Sequence, residues 1–181
     1  MQLDFPTFHR QVTQEENLLT MYLKGHLWVE RSIDEALRLL FPNPDALSTR
    51  LTFAQKVNLI DAFGLFAGKT ETVLNSVRSM SKRRNELAHR LEVVLDAELL
   101  EEIAEALRAN LPGASEPDAP TFDNPRSAMS MWFFVMVTMI EYAAAARVYA
   151  QSKLIDPDLQ RPLPLETWAQ LPDEILQYWR S

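Results

Sequence analysis

Arg84 and His89 set a permanent cation and a titratable imidazole five residues apart. An imidazole with an ordinary pKa of about 6.5 can take up and return a proton near neutral pH. A guanidinium can grip two oxygens of one phosphate and stabilise negative charge that builds on them. Together the two groups suit phosphoryl transfer or anion binding. Asn85 lies four residues before His89, one helical turn away, where its amide can hold the imidazole in one tautomer. The surrounding run is basic. Arg78, Lys82, Arg83, Arg84 and Arg90 stand against Glu86 alone, a net of +4 in a chain of formal charge −7. Charge that runs against the global balance marks a contact site, and phosphates are its natural partners.

His26 and Glu30 form a second pair with chemical potential, one helical turn apart. The chain has three histidines (His9, His26 and His89) and no cysteine. That donor set is too thin for a metal centre, so neither a metal nor another cofactor is expected. The missing cysteines exclude disulfides, thiol catalysis and cysteine zinc sites. No Gly-rich phosphate loop, Gly-x-Ser-x-Gly elbow or His-Glu-x-x-His motif occurs.

Helices must position these groups. Eleven prolines fall almost wholly outside the periodic segments, only four glycines occur, and no run alternates as a strand does. The pattern predicts an all-α bundle of about five main helices. The first spans about 14–41 and stops at Pro42 and Pro44. The second starts at Thr52, where Thr52-Phe-Ala-Gln55 fits a capping box, and ends near 64–68. The third spans about 70–89 and carries the basic run. Asp96 caps a fourth, which ends near Asn110. Residues 112–126 read as a loop, and a fifth helix covers about 126–152. Residues 1–156 form the bundle, and 157–181 form a proline-rich tail with a short helix at 173–179. The tail's Trp168 and Trp179 are expected to pack over the bundle or across a dimer.

The fifth helix is apolar enough to suggest a membrane span. Its aromatics sit inside the segment rather than at its ends, and its second half is rich in alanine. A core helix packed on all sides fits it better. The N-terminus, Met-Gln-Leu-Asp-Phe-Pro, lacks the features of a signal peptide, so a cytoplasmic location is expected, with no membrane partner.

At about 100° per residue, the inward stripe of the first helix reads Leu19, Leu23, Leu27, Ile33, Leu37 and Phe41, with Glu30 at its centre and His26 beside it. The stripe of the third helix reads Val73, Val77, Met80, Ala88 and Leu91, with Arg84 near its centre. Buried charges are normally paired. A Glu30–Arg84 ion pair is therefore one expectation. The other is that the stripe lines a cleft or subunit seam, with Glu30 and His26 supporting Arg84 toward a ligand. His89, about 140° around from Arg84, falls with Arg78, Lys82 and Asn85 on the polar face.

The sequence Arg84-Asn85-Glu86-Leu87-Ala88-His89 resembles the signature of the HEPN superfamily, an Arg followed by four to six residues and a His, with Asn often directly after the Arg. The order of helices around it is also similar, over roughly residues 15–110. The segment is similar as well to the mannitol-operon repressor family, whose members are not enzymes. The resemblance implies a dimeric helical bundle. For the active members it implies metal-independent endoribonuclease chemistry that leaves a 2′,3′-cyclic phosphate, in toxin–antitoxin, phage-defence or RNA-processing systems. Arg84, Asn85 and His89 would then be catalytic. Arg78, Lys82, Arg83 and Arg90 would hold the RNA backbone, and Glu30 and His26 would support them. An antitoxin or regulatory protein is an implied partner. In some HEPN toxins a tyrosine two positions after the His is modified by the antitoxin. Leu91 stands there in this chain. The other implied outcome is a regulatory or interaction module without catalysis.

Overall fold

The computed structural model describes residues 4–47, 50–66, 70–88, 97–110 and 124–155. The protein is an all-α helical bundle, with no strand among the described residues. A short helix α1 (Phe5–Phe8) runs into a π-helical turn (His9–Thr13). Then follow α2 (Leu18–Leu40), a 3₁₀ turn (Pro44–Ala46), α3 (Phe53–Ala62), α4 (Thr70–Ala88), α5 (Ala97–Asn110) and α6 (Pro125–Ile155). The tail after 155, Asp96 and most of the expected 112–126 loop lie outside the described residues.

Local chemistry accounts for the helix starts. At α3, the Thr52 hydroxyl accepts from the Gln55 amide (3.3 Å) while Gln55 Oε1 accepts from the Thr52 amide (2.9 Å), completing the capping box. The first long helix starts later than the expected residue 14. Asn17 is its N-cap, its side chain accepting from the Thr20 amide at 2.9 Å. The residues before it fold back as α1 and the π turn, an element the apolar pattern did not announce. Phe8 and Val12 anchor that element in the core, and a buried Thr13–Ser130 hydrogen bond of 2.8 Å ties it to α6.

The core sits between α2 and α6. Glu16 with Arg126, Tyr22 with Trp132 and Phe133, and Gly25 with Phe133 ascend together along the two helices, so α6 runs parallel to α2. Most of the central residues of α6, from Ala128 to Val137, are buried, as a core helix requires. Gly25 makes the close approach possible. A Cβ there would stand 2.2 Å from the Phe133 ring.

This packing corrects the expected stripe of α2. Leu27 is 61% exposed, and Glu30 lies at the edge of the core rather than at its centre. The buried arc instead runs through Tyr22, Gly25, Val29, Ser32, Ile33, Ala36, Leu37 and Leu40. Gly25 is the member that admits α6, and a stripe drawn through large apolar side chains alone passes it by.

Candidate functional site: the C-terminal end of α4

The described part of the basic run, from Arg78 to Arg84, lies on the last turns of α4. Val73, Val77 and Met80 point into the core as expected. Beyond Met80 the buried face turns. Ser79 hydrogen-bonds Glu102 of α5, Arg83 is drawn toward the same carboxylate, and Leu87 is buried. Arg84 is left on the outside. Its expected place on the buried stripe is therefore corrected, because α5 takes over as packing partner at this end of the helix.

The expected Glu30–Arg84 pair does not form. Glu30 accepts from Lys56 of α3 at 2.9 Å, and Asp34 accepts from the same ammonium at 2.9 Å. Lys56 is only 13% exposed. Burial pushes its ammonium pKa down, but the hydrogen bonds it donates to Asp34 and Glu30 outweigh this and raise it above the ordinary lysine value. The spacing of Glu30 and Asp34 carried the signal. Two carboxylates one turn apart repel, so a shared cation was called for.

His26 is buried beside this cluster. Its ring lies 4.6 Å from that of Phe53, and its Nε2 has no hydrogen-bond partner among the described residues. Burial lowers its pKa to about 4, against the attraction of Glu30 and with the help of the Arg84 charge. His26 is thus a neutral imidazole near Arg84. It sits inside the bundle rather than on a reactive rim.

The cations of the run divide by partner. Arg78 donates to Asp61 at 2.8 Å, and Arg83 is held between Glu86 (3.4 Å) and Glu102 (3.8 Å). Lys82 is exposed. Arg84 is exposed and donates from Nη1 to Asn85 Oδ1 at 3.2 Å, with no carboxylate partner among the described residues. That bond takes one lone pair of the Asn85 carbonyl oxygen and leaves its NH₂ group able to donate. The remaining N–H groups of Arg84 and the NH₂ of Asn85 are exposed donors of the kind that bind an oxyanion. His89 and Arg90 lie outside the described residues.

Among the described residues, no three His, Asp or Glu side chains gather as metal ligands. No family model matches this chain, and no curated protein or solved structure matches it.

Proposed function

We propose that this protein is a metal-independent endoribonuclease of the HEPN type, acting in a toxin–antitoxin or phage-defence setting. The observation that carries the reading is the exposed Arg84–Asn85 pair, a guanidinium with no carboxylate partner among the described residues beside an amide donor. The Arg84-x4-His89 spacing supports it. In the proposed reaction the RNA 2′-hydroxyl attacks the adjacent phosphorus and the 5′-oxygen leaves. The products are a 2′,3′-cyclic phosphate and a free 5′-hydroxyl. Arg84 and the Asn85 amide stabilise charge on the non-bridging oxygens. His89 moves the proton, as base toward the 2′-hydroxyl or as acid toward the leaving oxygen. Lys82 adds a phosphate contact. A dimer would bring two such sets to one strand.

One observation favours the alternative, a regulatory module that binds without cleaving. Arg78 and Arg83 are already engaged by carboxylates, which weakens the positive field around Arg84.

RNA cleavage in EDTA separates the two. The proposal expects cyclic-phosphate ends from the wild type and at least a ~100-fold loss for Arg84→Ala and for His89→Ala, the scale of removing one charge-stabilising or acid–base group. RNA binding that depends on Arg84, with no cleavage by any form across a panel of RNAs, would favour the regulatory module.

A further inference from the structure

Arg78 and Arg83 both meet carboxylates, but on different terms. Arg83 is 19% exposed and lies between Glu86 of its own helix and Glu102 of α5. Arg78 is 44% exposed, and it donates from Nη2 to Oδ2 of Asp61 on α3 at 2.8 Å. That carboxylate is itself 43% exposed. An ion pair between two such groups gains little, because water and salt screen it. A phosphate can offer the guanidinium two oxygens in place of the one that Asp61 supplies. Exchange of Asp61 for a phosphate therefore costs Arg78 little, whereas Arg83 is committed to the packing of α4 on α5.

Arg78 also stands in a row. Asn75, Arg78, Lys82 and Asn85 follow one another along α4 at steps of three and four residues, and all four are exposed. Such steps keep them on one side of the helix, with about 6 Å of rise between Arg78 and Lys82. The row contains no acid, and it ends beside Arg84, which is bonded to Asn85. Asp61 is the carboxylate that meets it, from the neighbouring helix.

We propose that this row is a track for the phosphates of single-stranded RNA, and that Asp61 holds its far cation, Arg78, until the RNA backbone displaces it. One row of donors along one helix follows one backbone. Asp61 thus acts as a built-in competitor. It lowers affinity by occupying Arg78 and touches no RNA itself. Arg83, kept by Glu86 and Glu102, takes no part. The inference rests on the proposed action on RNA and adds a residue of α3 that sets how tightly the RNA is held.

Binding of a single-stranded 2′-O-methyl RNA oligonucleotide of mixed sequence to the full chain tests it. That probe has no free 2′-hydroxyl, so binding is read apart from cleavage. Arg78→Gln is expected to weaken binding several-fold and to flatten the slope of log affinity against log salt by about 0.7, the share of one single-strand phosphate. Asp61→Asn is expected to tighten binding, by up to about fivefold, the scale of an exposed ion pair. In the Arg78→Gln background the same change is expected to have little effect. Both single variants break one and the same ion pair, so a structural role would move them in the same direction, and opposite directions separate the two. Weaker or unchanged binding by Asp61→Asn overturns the proposal, as does an unchanged salt slope for Arg78→Gln. Equal tightening with and without Arg78 also overturns it, because Asp61 is then only a repulsive charge. Binding that depends on Arg84 but ignores Arg78 and Asp61 sinks this inference alone. A wild type that binds no RNA, or binds it equally well as Arg84→Ala, sinks the ribonuclease reading and this inference with it.

Discussion

Lys56 and Arg84 are two cations beside α2 with opposite fates. Lys56 is 13% exposed and clasped by Glu30 and Asp34, whereas Arg84 is exposed with only the Asn85 amide for a partner. The first has its charge answered within the fold and holds α3 against α2. The second has its charge left unanswered among the described residues. A charge that folding does not need is available for a ligand, so the difference separates a structural cation from a candidate functional one. His26 feels the charges of Glu30 and Arg84 and is buried, so it belongs with the structural group.

The strongest way to break the structural side is at Gly25, one residue before His26. Gly25→Ala puts a methyl group into the Phe133 ring, and that ring is fully buried. A loss of about 3 kcal/mol is expected, read from the denaturant midpoint. A substitution that costs nothing would mean that α6 does not approach α2 as closely as described.

Acid should act next, through His26. Its folded pKa of about 4 lies below the ordinary value of 6.5. Between those values the unfolded chain binds the proton more readily. Stability from this site is therefore complete above about pH 6.5 and is lost as pH falls toward 4, by up to about 3 kcal/mol. Denaturant titrations at a series of pH values should show this slope in the wild type and lose it in His26→Phe. An unchanged slope in the variant would assign the acid sensitivity to other groups.

The smallest stability effects sharpen the comparison itself. Lys56→Met leaves two carboxylates facing one another, but both are partly solvated, so about 1 kcal/mol is expected. Arg84→Ala should stay within about 0.5 kcal/mol of wild type, as befits an exposed residue. Thermal melts of the two variants side by side test the ranking. A larger loss for Arg84 would make it the structural cation and remove the main support for a ligand at α4.

Much of the scaffold is legible in the sequence because helix ends are local. Thr52 and Gln55 announce their capping box, and Pro42 and Pro44 stop α2, through bonds and clashes among near neighbours. The α4 motif is found through residue type and spacing, which are equally local. The separate element before α2 was less legible, because what ties it down is the Thr13–Ser130 bond and the burial of Phe8 and Val12, contacts with residues far along the chain.

The sequence alone determines that the chain is helical, that it carries no cysteine chemistry, and that one segment, 78–90, is net positive in an acidic chain. Only the tertiary structure decides which of those charges are consumed. Helical periodicity gives each residue an angle about its own axis, but it does not say which neighbour fills that angle. The turn of α4's buried face toward α5 puts Arg84 outside, and the reach of Lys56 across to α2 frees Arg84 from Glu30. Both follow from contacts between residues far apart in the chain, which no local pattern encodes.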